Sequence, residues 1–238
     1  HNDHMAQGAD GDIADGRVAR IGLVGFGVAG SAFHAPLIHT TPGLELAAVV
    51  VRDPGRAAAV RARYPGAEVV PAVEDLWRLG LDAVTLATPN ATHVPLALSA
   101  IEDGGVGVVV DKPLAPTAEQ GRQLVAAAAA RGVPLTVYLN RRWDGDFLTV
   151  QQLVADGALG SIRRFESRFE RWRPDVVDSW KERAAPGEAG GILFDLGPHL
   201  IDQAVQLFGP VSQVYAEVAA TRTGATNADD VFLALRHS

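Results

Sequence analysis

The first 139 residues alternate apolar runs with stretches of helical spacing. The apolar runs, which lack polar alternation, lie at residues 20–25, 44–51, 82–87, 106–110 and 135–139. The predicted helices between them lie at residues 55–64, 94–102 and 117–131. Strands without a polar face that alternate with helices are typical of a parallel sheet covered on both sides. The pattern therefore predicts an α/β fold with a doubly wound parallel sheet over residues 18–139.

The pattern changes after this region. Helical spacing predicts helices at residues 146–155 and 192–208, whereas residues 161–171 alternate like a strand with one solvent-facing side. Further strand-like runs lie at residues 211–220 and 231–235. We therefore predict a second, α+β domain over residues 140–238, built on one sheet.

The amino-acid composition limits the kinds of molecule that the protein is expected to bind. The 238 residues carry a net charge of −7 at pH 7, so the overall field repels nucleic acid and anionic membrane surfaces. The chain has no apolar run of the roughly 18 residues that a transmembrane helix needs. The absence of cysteine excludes a disulfide scaffold, thiolate catalysis and cysteine-ligated zinc. We expect a small-molecule partner, with neither nucleic acid nor membrane binding.

The N-terminal segment, residues 1–17, is rich in Gly, Asp and Ala and has no apolar period, which predicts a disordered tail. The pair His4-Met5 within this tail is typical of a cloning scar. No signal-peptide pattern precedes the first predicted strand, so a cytoplasmic location is expected.

A Gly-x-Gly-x-x-Gly sequence stands between the first predicted strand and the helix that follows it. Glycines let the backbone turn tightly and approach a ligand, and the helix N-terminus presents unpaired N–H groups to a pyrophosphate. The alternative is a tight turn that only packs a helix onto the sheet. The context favours a dinucleotide site built from the whole turn, namely Gly25, Phe26, Gly27, Val28, Ala29 and Gly30.

The residues after the second predicted strand bear on the choice of cofactor. Asp53 precedes Pro54, a pairing typical of an N-cap followed by the first helical residue, so its carboxylate is expected to cap the helix. Arg52 can pair with a 2′-phosphate through charge-assisted hydrogen bonds, although a solvated surface arginine is the alternative. NADP is therefore favoured over NAD.

Two segments carry candidate catalytic chemistry. Lys112 immediately follows an apolar strand, and the ligand crevice of an open α/β sheet lies at the carboxyl ends of its strands. Asp195, His199 and Asp202 are spaced four and three apart, so on a helix they share one face. A carboxylate beside an imidazole can orient it and raise its basicity. The alternatives are a surface lysine and a histidine hydrogen-bonded within the core.

A metal site is a further alternative for the second segment. Asp195 and His199 are suitable ligands for zinc or manganese, but a catalytic metal usually takes a third protein ligand. None of the remaining candidates, His34, His39 and His93, has suggestive spacing. We therefore expect no metal.

Three motifs resemble the family of glucose–fructose oxidoreductases, inositol dehydrogenases and MocA proteins (Gfo/Idh/MocA). They are the glycine turn, the sequence Asp111-Lys112-Pro113, where the family usually has Glu-Lys-Pro, and residues 191–199. Residues 88–93 also look like the cofactor-lining loop of the family, which implies cofactor contacts from Thr88, Pro89, Asn90 and His93. Closest similarity is to the NADP-dependent subgroup that includes scyllo-inositol dehydrogenases, through residues 33–38, 140–144 and 195–208.

The resemblance implies a Rossmann domain followed by a C-terminal domain with an open, mostly antiparallel sheet, through which members pair as homodimers or homotetramers. It implies that Lys112, Asp195 and His199 form the catalytic group for hydride transfer between a nicotinamide and a sugar or cyclic polyol. We assign His199 as the base, Lys112 to the reacting oxygen and Asp195 to orienting the substrate. Family chains are usually longer, so the C-terminal domain is expected to be truncated here and its sheet incomplete.

The segment that follows the last predicted strand of the first domain offers candidates for the substrate pocket, namely Asn140, Arg142 and Trp143. The alternative is that these side chains only pack on the surface. Two other functions remain open. A sugar-nucleotide ketoreductase shares every motif described above. A nucleotide-sensing regulator keeps the fold but performs no redox chemistry.

Overall fold

The computed structural model describes residues 17–177 and 179–238. The predicted tail lies outside the described residues except for Arg17, whose guanidinium pairs with Asp82. The first domain contains six strands, β1 Ala19–Val24, β2 Leu44–Val50, β3 Glu68–Val70, β4 Ala83–Leu86, β5 Gly107–Asp111 and β6 Leu135–Tyr138. They form one sheet in the order β3-β2-β1-β4-β5-β6 with every neighbouring pair parallel. This is the strand order of a dinucleotide-binding Rossmann sheet, and it confirms the predicted α/β fold.

Helices cover both faces of the sheet. The regular α-helices of this domain are α1 Ala35–Thr40, α2 Pro54–Arg63, α3 His93–Ser99 and α4 Ala118–Arg131. Single π-helical turns, Gly30–His34 and Ala100–Gly104, adjoin α1 and α3, and a 3₁₀ helix, Val73–Arg78, follows β3. Local chemistry sets the ends of α4, because the Thr117 hydroxyl accepts from the backbone N–H of Gln120 and Gly132 closes the helix in a left-handed conformation.

The core consists of two apolar clusters, one on each side of the sheet. One cluster centres on Leu76, Leu86 and Ile101, and the other on Leu23 and Val49, all of them fully buried. A fully buried side chain of this size contributes about 1.5–3 kcal/mol relative to an exposed one. The continuous apolar strands are thus explained by burial on both faces, which holds the loops at the carboxyl edge of the sheet in fixed positions.

The described part of the C-terminal region contains three α-helices, two short 3₁₀ helices and a hairpin. The α-helices are α5 Gly145–Ala155, α6 Trp180–Arg183 and α7 Ile192–Phe208, and the antiparallel strands are β7 Val211–Ala219 and β8 Asp230–His237. The prediction of a strand at residues 161–171 is wrong, since this mostly exposed segment pairs with no strand of the described chain. Polar alternation produces a strand only where a neighbouring backbone offers hydrogen bonds, and the hairpin does not supply them to this segment.

Helix α7 begins at Ile192, directly after Gly191, whose φ of +82° is a conformation that favours glycine. Pro198 lies inside the helix and removes one backbone donor, yet it does not delay the start of the helix. The helix ends at Phe208. Within the described ranges, no helix combines the length and the apolar character that a membrane span requires.

Candidate active site

The glycine turn joins β1 to the π-helical turn before α1. Gly25 has a φ of +96°, and a Cβ at this position would lie 2.6 Å from the carbonyl oxygen of Ala87. A Cβ on Gly30 would overlap the carbonyl oxygen of Gly25, so both glycines are required by backbone packing. Gly27 differs from them, because no atom lies within 4 Å of the position that its Cβ would occupy. The open space over Gly27 fits the close approach of a dinucleotide pyrophosphate to the backbone.

The other residues of the glycine turn, Phe26, Val28 and Ala29, differ in how far their side chains are exposed to solvent. Phe26 is buried and packs edge-on against Tyr64, so its side chain belongs to the core and only its backbone faces the turn. Val28 is 80% exposed at the start of the helix, and Ala29 packs against the core from its edge. Contacts from this turn to a cofactor would therefore come mainly from backbone groups, as the residue types predict.

The residues after β2 have the arrangement expected from the sequence. The Asp53 side chain accepts a hydrogen bond from the backbone N–H of Arg56 at 2.8 Å, which caps α2. Arg52 is exposed at the end of β2, two residues after Val50, whose carbonyl accepts from the N–H of Gly25. The carboxylate is thus used for capping, while the guanidinium is available at the same edge of the sheet as the glycine turn.

The loop after β4, residues 88–93, which we call the cofactor loop, borders the glycine turn through Thr88. A Cβ on Gly25 would lie 3.0 Å from Cγ2 of Thr88. The Asn90 amide nitrogen donates to the carbonyl of Ala189 at 2.8 Å, so this loop also contacts the segment that precedes α7. The assignment of Thr88 and Pro89 to cofactor binding stays a prediction.

His93, the last residue of the cofactor loop, is buried. Its side chain is 1% exposed, and its ring nitrogens lie 2.8 Å from the carbonyl oxygen of Pro113 and 2.9 Å from that of Thr88. Both polar atoms of the ring are therefore engaged inside the protein. The ring nitrogens are therefore not free for a cofactor, and the cofactor contact that the resemblance implies for His93 stays a prediction.

Lys112 and Asp195 meet across the two parts of the chain. Lys112 follows β5 at the carboxyl edge of the sheet, and its Nζ donates to Oδ1 of Asp195 at 2.9 Å and to the Asp195 main-chain oxygen at 2.5 Å. Both side chains are largely buried, which strengthens a charge-assisted hydrogen bond relative to one in water. Because Asp195 lies one helical turn before His199, the pair anchors the face of α7 that carries the histidine.

His199 is a buried imidazole with an unused polar atom. The residue is 7% exposed, and its Nδ1 has no hydrogen-bond partner. Burial is the largest cause of a lowered His199 pKa, and together with the charges of Lys112 and Arg141 it brings this pKa to about 4 against the opposing effects of Asp195 and Asp111. Asp195 raises this pKa, as expected, but burial and the two cations outweigh it, so the net pKa lies below the ordinary value. His199 is a neutral imidazole at physiological pH.

Next to Lys112 lies a cluster of Asp111, His34 and Tyr138 that the sequence analysis did not predict. Asp111 accepts from the backbone N–H of Lys112 at 2.8 Å, and its Oδ2 lies 3.5 Å from Nε2 of the buried His34. The His34 ring also packs against Tyr138, with ring centroids 4.4 Å apart. Burial acts to raise the pKa of Asp111, but the contacts with His34 and Lys112 outweigh it, so this pKa is lowered. The carboxylate therefore holds the backbone at the base of Lys112.

The turn after β6, a 3₁₀ helix at Asn140–Trp143, lies against α7. Arg142 donates to Asp202 through Nε at 2.7 Å and Nη2 at 2.6 Å, so Asp202 binds this arginine rather than joining Asp195 and His199. Trp143 is 76% exposed. The substrate roles of Asn140, Arg142 and Trp143 remain predictions.

Arg141 is a site residue that sequence reasoning missed. Its Nη1 donates to Asp144 at 2.9 Å, its main-chain oxygen accepts from Gln203, and its charge acts on His199. Only its place beside the chosen Asn140 and Arg142 could have indicated it. In residues 17–177 and 179–238, no three His, Asp or Glu side chains are grouped closely enough to hold a metal ion.

Comparison with known families divides the chain into two matches. A model described as "Oxidoreductase family, NAD-binding Rossmann fold" matches residues 19–139, and one described as "GFO/IDH/MocA C-terminal domain" matches residues 147–238. The first domain is therefore an NAD(P)-binding Rossmann domain.

Individual relatives agree with these matches. The chain is 46% identical over 211 residues to a protein of Escherichia coli named "Uncharacterized oxidoreductase YdgJ", covering 88% of this chain. It is 37% identical over 217 residues to "scyllo-inositol 2-dehydrogenase (NADP(+)) IolW" of Bacillus subtilis, covering 91% of this chain. The solved structure of the oxidoreductase yvaA from Bacillus subtilis superposes with a TM-score of 0.88 at 36% identity, over 94% of this chain and 62% of that one. The chain spans 59% of the length of each of the two relatives.

Proposed function

The chain belongs to the Gfo/Idh/MocA family of oxidoreductases, and from that premise we propose that it transfers a hydride between NADP and a secondary alcohol or ketone of a sugar or cyclic polyol. The observation that carries the proposal is the pairing of Lys112 with Asp195 one helical turn from a buried, neutral His199. An inositol is the favoured substrate class, because a relative of 37% identity is named as a scyllo-inositol 2-dehydrogenase.

Oxidation of an alcohol requires removal of a hydride from carbon and a proton from oxygen. NADP, when bound, supplies the hydride acceptor at its nicotinamide ring. The chain supplies the proton acceptor, His199, whose lowered pKa keeps the imidazole unprotonated and able to accept the hydroxyl proton at neutral pH. A positioned general base contributes about 10²–10⁴-fold to the rate.

Lys112 stabilises the charge that develops on the reacting oxygen. Its ammonium is fixed by Asp195 on one side and, through its own backbone, by Asp111 on the other. A donor held in place before the reaction avoids the reorganisation that water would require, which is the source of electrostatic catalysis. Asp195 positions the lysine and the substrate hydroxyls, and ketone reduction uses the same groups in reverse.

The preference for NADP rests on the region after β2. Asp53 is used as the cap of α2, whereas Arg52 is exposed and near the glycine turn. An arginine at this place pairs with a 2′-phosphate, whereas NAD enzymes use a carboxylate on the ribose hydroxyls. The relative named with NADP(+) supports the same choice.

A homodimer or homotetramer is proposed as the assembled form, with no nucleic-acid or membrane partner. The hairpin β7–β8 exposes apolar side chains on its surface, including Val214, Tyr215 and Phe232. Exposed apolar side chains grouped on one element are typical of a surface that another chain covers.

A spectrophotometric screen tests the proposed activity. NADP or NAD is incubated with scyllo-inositol, myo-inositol and linear polyols, and formation of the reduced cofactor is followed in the near ultraviolet. We expect NADP-dependent turnover with a cyclic polyol. Tight NADPH binding without turnover on any polyol or sugar would instead favour a nucleotide-sensing regulator, and turnover only with a sugar nucleotide would favour the ketoreductase.

A further inference from the structure

The cofactor loop and the catalytic lysine are connected by one buried side chain. His93 lies at the end of the cofactor loop and at the first position of α3, and its ring reaches across to the segment that follows Lys112. Its two ring nitrogens contact two main-chain carbonyls from different parts of the site, Pro113 at 2.8 Å and Thr88 at 2.9 Å. No other side chain in the described ranges is shown to bridge these two carbonyls.

The two carbonyls belong to residues with different tasks. Pro113 directly follows Lys112, so a contact that holds the Pro113 carbonyl also holds the backbone from which the Lys112 side chain extends. Thr88 borders the glycine turn, since its Cγ2 would lie 3.0 Å from a Cβ on Gly25. A hydrogen bond to Pro113 therefore fixes the backbone position of Lys112. A hydrogen bond to Thr88 fixes the loop that borders the glycine turn, where the dinucleotide is proposed to bind.

The hydrogen bonds of His93 to these carbonyls depend on its ring N–H groups. A carbonyl oxygen only accepts, so a ring nitrogen that binds one does so through its N–H, and the tautomer of the ring decides which nitrogen carries the proton. The site is closed to water, because His93 is 1% exposed. A main-chain carbonyl left without a donor in such a place loses hydrogen bonding that no solvent replaces, so the backbone would shift to find another partner.

We propose that His93 is a positioning residue that fixes the cofactor loop relative to Lys112, holding the lysine through Pro113 and the dinucleotide cleft through Thr88. In this role the ring acts through the two main-chain carbonyls. The effect on turnover rests on the proposed function, whereas the effects on cofactor affinity and on the environment of His199 are independent of the substrate.

Two substitutions separate the two bonds. The amide nitrogen of an asparagine occupies about the place of Nδ1, and that of a glutamine about the place of Nε2. His93→Asn therefore keeps the donor to Pro113 and loses the one to Thr88, whereas His93→Gln does the reverse. The same two substitutions at the exposed His39, which lies away from the cleft against Tyr64, serve as matched controls.

Three measurements on the full chain test the proposal: the NADPH dissociation constant by cofactor fluorescence, kcat, and the pKa of His199 by histidine NMR titration. For His93→Asn we expect about a tenfold weaker NADPH affinity with kcat within about threefold, and an unchanged His199 titration. For His93→Gln we expect NADPH affinity within about threefold, a 10- to 100-fold fall in kcat, and a rise in the pKa of His199 from about 4, because Lys112 lowers it.

The outcomes distinguish this proposal from the proposed function. If the wild-type chain binds NADPH but turns over no substrate, the proposed function fails, and the NADPH affinity and His199 titration still decide the role of His93. Equal behaviour of His93→Asn and His93→Gln in these two measurements, whether both normal or both impaired, overturns the proposal. So does loss of folding in both variants, which would show that His93 serves stability alone.

Discussion

The ammonium of Lys112 lies 2.9 Å from Oδ1 of Asp195, although the two residues are 83 positions apart in the chain. One residue follows a strand of the Rossmann sheet and the other lies in the first turn of α7, so this contact joins the two parts of the protein. It also carries His199 to the same edge of the sheet as the glycine turn. The chemistry proposed above depends on this juxtaposition.

Gly27 and Gly30 are expected to respond differently to a side chain. Gly30→Ala places a Cβ on the carbonyl oxygen of Gly25, and overpacking of this kind costs about 1–3 kcal/mol of unfolding free energy. Gly27→Ala meets no neighbouring atom, so it leaves stability unchanged and instead obstructs the pyrophosphate. Thermal melts and NADPH titrations of the two variants measure both effects. Normal NADPH affinity in a folded Gly27→Ala variant would contradict the placement of the dinucleotide.

Arg52 is expected to decide between the two cofactors. Arg52→Ala removes a charge-assisted hydrogen bond worth about 1.5–3 kcal/mol, which predicts a loss of NADPH affinity of about 10- to 150-fold with NADH affinity nearly unchanged. Arg61→Ala, at an exposed arginine within α2, is the control. A wild-type chain that binds NADH more tightly than NADPH would show that the cofactor assignment is wrong.

The pKa of His199 predicts an acid limb in the pH profile of alcohol oxidation. Burial and the charges of Lys112 and Arg141 lower this pKa from 6.5 to about 4, so kcat/KM is expected to fall only as the pH drops through about 4, when the base becomes protonated. Arg141→Gln removes one cation that lowers the pKa, and the limb therefore moves to higher pH. A wild-type limb near 6.5, or no movement in the variant, would exclude this origin.

The Arg142–Asp202 pair is expected to stabilise the junction between the turn after β6 and helix α7. Arg142→Ala leaves the largely buried carboxylate of Asp202 without its donor and is predicted to lower the unfolding free energy by about 1–3 kcal/mol. Adding Asp202→Ala should restore part of the loss, because no unpaired carboxylate remains. If Arg142→Ala instead leaves stability unchanged and raises KM for the polyol, the substrate-binding prediction for Arg142 is the better one.

The sequence predicted those features whose cause is local. Apolar strands without alternation identified the parallel sheet, and Asp53-Pro54 identified the start of α2 with its cap. Lys112 was a candidate because it follows a strand, and Asp195 and His199 were candidates because they lie four positions apart on a helix. Each of these predictions uses only residues that are close together in the sequence, so it does not require knowledge of the tertiary structure.

The features that the sequence missed arise from tertiary contacts. His34 lies in a π-helical turn and Asp111, 77 positions away, at the end of β5, and the fold alone brings the two side chains together. The residues around either one give no sign of this contact. The net pKa of His199 depends on burial and on Arg141, which no spacing reveals. Alternation at residues 161–171 predicted a strand that does not form, since strand pairing depends on a partner and not on the segment itself.

The proposed role of Lys112 in the reaction is tested by the rate of hydride transfer in a Lys112→Met variant, measured by stopped flow at saturating NADP with the polyol that the wild-type chain oxidises. Arg122→Met, which removes an exposed cation of α4, is the control. We predict that the rate in Lys112→Met falls about 10²–10³-fold with NADP affinity retained, because the reacting oxygen loses its charged donor while the glycine turn is untouched. A Lys112→Met variant that transfers hydride at the wild-type rate would contradict this role of Lys112.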